Sequence, residues 1–354
     1  MNYLKNINVY RRRFTKFITN LIVNKKILNG NLKKIEDFSK IRKILIIRPN
    51  HRLGNTLLFT PVIQEITENF PNAKIDLFVK GEVSKIVFQN YKEVENFIVL
   101  PKNHFKKLFN YLKSWFSLLT KNYDLVINIA ANSSSGKLAT KYAKATYKLY
   151  GNEFNNTIQF TESQKHFAKL PVYTLRNYLF NSNHEIYNKP IHELCLRLNK
   201  EELEKGKKTL NEIILNDKPT ITIFTYATGD KCYCKEWWHE MYSKLIKNFP
   251  NYNIIEILPF EKVSQINFEA PTFFSKDIRE IAALISNAEI FIGADSGMMH
   301  LASCTKTAVV GLFSTTPLEK YGPFGKNKLG INTNKISIDR NIEIIKEILN
   351  FQTI

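Results

Sequence analysis

The chain has 354 residues, 44% of them apolar and 12% aromatic, with no tract of low complexity, so it is long enough for two buried cores and too apolar to be a disordered polymer. Its formal net charge of +19 calls for an anionic partner: nucleic acid, an acidic membrane surface or a phosphorylated substrate. Four cysteines, Cys195, Cys232, Cys234 and Cys304, are too few and too scattered for a disulfide framework, which points to a reducing compartment.

The positive charge starts at the amino terminus, where about a dozen Lys and Arg precede residue 44 against Glu36 and Asp37 alone. In this basic arm, residues 1–40, Phe14, Phe17, Ile18, Leu21 and Ile22 fall at helical spacing opposite Arg11, Arg12, Arg13 and Lys16. That pattern fits an amphipathic helix lying on a membrane, where each basic residue contributes roughly 1 kcal/mol. It fits a helix packed on its own domain with a solvated basic face equally well. FITNLIV is broken by Asn20, too short for a signal peptide core, and no later stretch reaches the ~18 apolar residues of a spanning helix. The expected location is cytoplasmic, soluble or held at a membrane face.

From Arg42 the pattern becomes regular. KILIIR (43–48) is a buried strand, PNHRLGN a tight loop, and Val62, Ile63, Ile66 and Phe70 line one face of a helix starting at Thr60 and Pro61. AKIDLFV (73–79) then completes a parallel strand-helix-strand unit. A strand at 96–100, a helix at 107–121 and a strand at 123–130 lead into the polar loop ANSSSGK. EELEKGKKTLNEIIL is a charged amphipathic helix before Pro219 and marks a domain boundary. Beyond it, strands at 220–225, 253–258, 288–294 and 307–313 alternate with helices in WWHEMYSKLIKNF, at 277–287 and after Ser296.

The predicted fold is therefore α/β, two Rossmann-like parallel-sheet domains facing across a cleft, with ligands at the carboxyl ends of the strands. The domains span 41–199 and 219–340, joined by a linker helix at 200–218, and a C-terminal helix at 341–354 could fold back on the first domain.

The segment ADSGMMHLAS (294–303) places an acid at a strand end and then opens a helix. Ser296 or Asp295 can cap that helix, Gly297 lets another group approach the backbone, and the unpaired N–H groups of the first turn attract phosphate. Read alone, it is also an ordinary helix start with a core histidine, His300. At the same sheet edge YATGDKCYCKEWW (226–238) offers Lys231 and Lys235. A lysine beside a helix tip neutralises a diphosphate without a metal, though a solvated loop lysine explains either residue as simply. Cys232, Cys234 and His239 lack the two further partners of a structural zinc.

The block ADSGMMHLASCTKTAVVGLFSTTPLEKYGP resembles the signature of glycosyltransferase family 9, the lipopolysaccharide heptosyltransferase family. There an Asp-(Ser/Thr)-Gly-x-x-His segment precedes a strand, a Phe-Gly-type turn and a Gly-Pro pair. Asp295, Ser296, Gly297, His300, Phe313, Gly322 and Pro323 stand at those places. DKCYCKEWW is similar to the family's Asp-Lys-x-Trp-Pro-x-x-x-Trp at Asp230, Lys231 and Trp238, but has Tyr233 and Cys234 for Trp and Pro. Residues 43–80 are similar to its first strand, Gly-Asp loop and helix.

The resemblance implies a GT-B fold with an acceptor-binding amino-terminal and a donor-binding carboxy-terminal domain. It implies inverting transfer of a heptose or similar sugar from a nucleotide sugar to a lipopolysaccharide-core or lipid-linked saccharide, with no metal or other cofactor. Lys231 and Asp295 would bear on the leaving diphosphate, and Ser296, Gly297, Met298 and His300 would hold the donor. Glu261, after the strand at 253–258, is a further candidate donor contact. Arg52, Gly54 and Asn55 would meet the acceptor, with Arg48 flanking the same loop.

One departure stands out. Many family members carry Gly-Asp in the first loop, with that aspartate the proposed base, and here the pair is Gly54-Asn55. Asparagine cannot take a proton, and loss of a general base costs ~10² to 10⁴ in rate. Three readings stay open: His51 acts as base, Asn55 orients the acceptor while another acid acts, or the chain is a catalytically silent nucleotide-sugar and saccharide binder. Nucleic acid is set aside for want of a reading motif. The expected protein is a monomer, peripheral at the inner face of the cytoplasmic membrane, meeting an anionic glycolipid.

Overall fold

The computed structural model describes residues 33–102, 108–151, 160–180 and 185–351, so the amphipathic stripe of residues 14–22 lies outside the described residues. Strand β1 (Lys43–Arg48) buries Ile44 through Ile47 without alternation, as a strand does when helices cover both faces of its sheet. The expected tight loop after it is a loop and then a short helix, α1 (Leu53–Leu57). Asn50 accepts the Arg52 N–H at 2.9 Å, turning the chain directly into that helix. Helix α2 (Thr60–Asn69) has Pro61 in its first turn, where a missing N–H costs nothing.

Strand β2 (Lys74–Lys80), helix α3 (Val83–Val87), strand β3 (Val94–Leu100), helix α4 (Leu108–Thr120) and strand β4 (Asn122–Asn128) follow. Three elements then appear where the sequence pattern assigned none: α5 (Ser134–Tyr142), β5 (Lys144–Leu149) and α6 (Leu170–Leu179). The first two are polar: Ser133 caps α5 through the Gly136 N–H, and β5 is an edge strand with a half-exposed pattern, whereas α6 buries Val172, Leu175 and Tyr178. The first sheet is all parallel in the order β3-β2-β1-β4-β5.

Helix α7 (Lys200–Ile213) carries a capping box in which Asn199 and Glu202 satisfy each other's backbone N–H groups. The second domain holds β6 (Thr220–Phe224), α8 (Lys235–Asn248), β7 (Asn253–Ile257), β8 (Thr272–Phe273), α9 (Ile278–Ile285), β9 (Ile290–Ala294), α10 (Gly297–Ser303), β10 (Ala308–Phe313), α11 (Leu318–Tyr321), β11 (Lys328–Asn332) and α12 (Ile338–Phe351). Its sheet is also all parallel, ordered β11-β10-β9-β6-β7-β8. Two parallel-sheet α/β domains are thus present.

Helix α12 does not return to the first domain. Ile342, Ile345 and Leu349 share a core with Trp238, Met241 and Leu245 of α8 and with β9 and β10, so the helix covers the second sheet. Between the domains, α7 packs on α9 so closely that a Cβ at Gly206 would lie 2.4 Å from the Ala283 backbone. Arg279 of α9 is buried, bonds to Glu202 through both carboxylate oxygens, and donates to the carbonyls of Ile86, Leu196 and Arg197. One side chain therefore ties the second domain to α7 and to the end of α3.

Candidate functional site

In each sheet the chain builds outward from one strand and then returns to build on its other side, which creates a crevice at the strand carboxyl ends. In the second sheet this switch lies between β6 and β9, whose following loops carry Lys231 and Asp295. The two meet there as an ion pair at 2.6 Å. Asp295 is buried and also accepts a hydrogen bond from the Thr316 hydroxyl, while Lys231 is 36% exposed. The carboxylate occupies one of three ammonium donors, leaving two facing outward.

Asp295 does not cap α10. Ser296 does, accepting the Met299 N–H at 3.4 Å, so the N–H groups of Gly297 and Met298 keep no intrahelical partner. Gly297 permits a close approach, and what approaches is Leu53 and Gly54 from the other domain, with the Gly54 nitrogen 3.3 Å from where a Gly297 Cβ would sit. A Cβ on Gly54 would in turn lie 2.8 Å from His300 Cδ2. The two glycines let α1 and α10, the helices that follow β1 and β9, pack closely against each other.

His300 lies beneath this contact. It is buried, its Nδ1 has no hydrogen-bond partner among the described residues, and desolvation pulls its pKa down to about 4 against a smaller opposing pull from Asp295. It is a neutral ring filling space between the domains.

In the first sheet the switch lies between β1 and β4. A cavity of about 430 Å³ opens there, lined by Arg48, Asn50, Asn128, Asn132, Ser133 and Phe167 among others. Arg48 makes no ion pair among the described residues, and burial lowers its pKa to about 10, so it presents a desolvated, unmatched positive charge to the cavity. Arg52 is exposed and likewise unpaired among the described residues. His51 follows Asn50 of the cavity wall without lining the cavity itself, and its Cβ lies close to Gly81 at the end of β2. Its pKa is lowered by desolvation first and then by Lys80, Lys102 and Arg52, which leaves the ring neutral at pH 7.

The structure therefore gathers Lys231, Asp295, Ser296, Gly297, Met298, His300 and Gly54 at one interdomain contact. Asn55 follows on α1, half-buried. Glu261 stands apart, exposed in the turn after β7 with no hydrogen bond or ion pair among the described residues. Lys235 begins α8 and donates to Asn267 instead of joining Lys231. Cys232 and Cys234 are free thiols, and His239 faces Glu269 and Asn267. Among the described residues no three His, Cys, Asp or Glu side chains are placed to hold a metal ion.

Two contacts went unread in the sequence. His166 Nε2 donates to the Gly322 carbonyl at 2.9 Å while its Nδ1 accepts the Ala168 N–H, which fixes the tautomer. Phe167 stacks on Tyr321 with centroids 4.7 Å apart. The Gly-Pro pair at 322–323 was visible, but not its partner from the other domain.

Comparison with known proteins agrees with this architecture. Residues 111–344 match the sequence model of glycosyltransferase family 9 (heptosyltransferase). Lipopolysaccharide heptosyltransferase 3 of Escherichia coli K12 is 25% identical over 299 residues, 77% of this chain and 83% of that protein. Lipopolysaccharide heptosyltransferase 1 of Campylobacter coli is 22% identical over 320 residues, 83% of this chain and 88% of that one. Among solved structures, a family 9 glycosyltransferase from Veillonella parvula superposes with TM-score 0.69 at 15% identity, covering 88% of this chain and 98% of that one. The E. coli heptosyltransferase WaaC with ADP superposes with TM-score 0.63 at 17% identity, covering 86% and 99%. Two parallel α/β sheets, the GT-B arrangement they share, and a sequence match across most of the chain lead to one conclusion: this protein belongs to glycosyltransferase family 9, the heptosyltransferases.

Proposed function

We propose that the protein transfers a heptose or similar sugar from a nucleotide sugar of the ADP-heptose type to an anionic, lipid-linked or lipopolysaccharide-core saccharide, with inversion and without a metal ion. The observation that carries this reading is the Lys231–Asp295 pair at the β6/β9 switch beside the tip of α10. Asp295 positions the lysine, and the remaining ammonium donors with the Gly297 and Met298 amides meet charge as it develops on the leaving diphosphate. Preorganised donors of this kind are each worth about a hundredfold in rate. Solved relatives bound to ADP and to ADP-2-deoxy-2-fluoro heptose support a donor of that class.

The acceptor enters from the β1/β4 cavity, where the unmatched Arg48 charge suits a phosphate or carboxylate on the saccharide. Its hydroxyl oxygen bonds to the anomeric carbon, the bond from that carbon to the diphosphate oxygen breaks, and the hydroxyl proton passes to a base. Among residues 48–55 His51 alone has a neutral side chain able to accept a proton, which makes it that base in this reading. The protein works as a monomer at the inner face of the cytoplasmic membrane.

A second reading, a silent binder of the same ligands, is favoured by Asn55 standing where many members carry aspartate. Both are tested by incubating the protein with a panel of nucleotide sugars and core acceptors, beside Lys231→Ala and Asp295→Ala. Turnover that falls by about a hundredfold in each variant supports the transferase. Unchanged turnover in both refutes the site, and donor binding without transfer to any acceptor supports the silent reading.

A further inference from the structure

Helix α4 presents an apolar face to solvent. Its inner face, Tyr111, Ser114, Trp115 and Leu118, packs on the first sheet, with Ser114 donating to the Val99 carbonyl and Trp115 edge-on to Phe78. Beside that face Leu108, Phe109, Leu112, Phe116 and Leu119 are 57%, 79%, 57%, 68% and 41% exposed. At 100° per residue these five fall within an arc of about 100°. An outer helix normally carries polar side chains there, and a contiguous apolar stripe on a surface marks a docking site.

The charge around the stripe says what docks. From Lys102 to Lys148 the chain holds nine lysines, one acid (Asp124), and no arginine or glutamate. Lys102, Lys113 and Lys144 are exposed. Asp124, half-buried, is engaged in accepting the Arg42 and Lys43 N–H groups. A second copy would bring lysines against lysines, and the amino-terminal arm, equally basic, would be repelled in the same way. An anionic bilayer supplies both an apolar layer for Phe109 and Phe116 and headgroup charge for the lysines.

The position agrees. In a parallel sheet, a helix following β3 starts at the carboxyl edge of the strands, the edge that carries the β1/β4 cavity. Lys102 stands at that edge near Gly81 and His51.

We infer that the outer face of α4 is the surface by which the protein lies on an anionic lipid bilayer, with the apolar stripe in the headgroup boundary and the acceptor cavity turned toward the same leaflet. This rests on the reading of a lipid-linked acceptor. No described helix is long and apolar enough to cross a membrane, so the contact is a peripheral one.

The test uses the full chain, the double variant Phe109→Glu/Phe116→Glu, and Arg11→Glu/Arg12→Glu/Arg13→Glu as a control for the arm. Each is sedimented with vesicles of phosphatidylglycerol and phosphatidylcholine or of phosphatidylcholine alone, and sugar transfer to a lipid-free acceptor is measured in parallel. The wild type binds the anionic vesicles, less so in high salt, and the Phe variant loses about tenfold or more of that partition. Its transfer to the lipid-free acceptor stays at the wild-type level, which also shows that it folds. The inference is overturned if the Phe variant partitions like the wild type while only the arm variant detaches. It is equally overturned if, without vesicles, the wild type is a dimer that the Phe variant dissolves. Loss of vesicle binding in the Phe variant of a protein that transfers no sugar would leave the surface standing and remove the transferase reading.

Discussion

The two switch points treat charge in opposite ways. At β6/β9 the cation is matched: Lys231 is held by Asp295, itself fixed by Thr316. At β1/β4 it is not: among the described residues Arg48 faces a cavity lined by no carboxylate, and Arg52 has no carboxylate partner either. A half-buried guanidinium with no carboxylate partner among the described residues is costly, so a fold that keeps one has left a place for an anion that arrives with the ligand. The matched pair instead holds a lysine in one geometry before any ligand comes. In the proposed function the preorganised edge serves the donor and the charge-receiving edge the acceptor.

The largest expected effect probes the acceptor edge. His51→Gln lowers turnover by about 10² or more, with donor affinity unchanged, as loss of a general base does. Because the His51 pKa is lowered, wild-type turnover is flat above neutrality and falls only in acid, below the usual histidine range, and that inflection disappears in the variant. A full rate in His51→Gln beside a large loss in Asn55→Ala would move the chemistry to the acceptor-orienting reading of Asn55.

The contact between the edges has its own pH signature. His300 is held near pKa 4 in the folded state against 6.5 in the unfolded chain, so the unfolded state binds the proton first. Its contribution to stability is complete above about pH 6.5 and is lost as pH falls toward 4, to a limit of order 3 kcal/mol. Melting temperatures across this range should drop steeply for the wild type and less for His300→Gln. The slope that remains is shared by His166 and His51, whose pKa values burial also lowers, and by carboxylates such as Glu93 and Glu202 held below their usual range.

A smaller change tests whether the edges must touch. Gly54→Ala puts a methyl 2.8 Å from a buried His300 ring, which costs about 1 to 3 kcal/mol or parts the domains. Stability by denaturant titration and turnover should both fall. A variant indistinguishable from the wild type in both would show that the interdomain contact is dispensable.

Much of this was legible in the chain. KILIIR and AEIFIGA read as strands because both faces of each sheet are covered, and ADSG read as a strand end opening a helix because serine caps and glycine clears the approach. Between Ala131 and Leu149 the pattern was silent for a physical reason, whereas the Val172, Leu175 and Tyr178 face of α6 was there to be read. Helix α5 and strand β5 draw their order from tertiary bonds, such as Asn128 Nδ2 to the Tyr150 carbonyl and Gly136 against the Asn128 side chain, not from apolar periodicity. The cavity at β1/β4 was missed with them, although Arg48 closing an apolar run was a usable signal. The direction of α12 was also out of reach, because its isoleucine stripe suits either sheet.

The most direct test of the division between edges is calorimetric binding of ADP to the wild type, Lys231→Ala and Arg48→Met. Removing the lysine leaves the Asp295 carboxylate unpaired beside a diphosphate, so affinity should fall by about tenfold or more in Lys231→Ala and stay at the wild-type value in Arg48→Met. Wild-type affinity in Lys231→Ala, or a loss confined to Arg48→Met, would contradict the account.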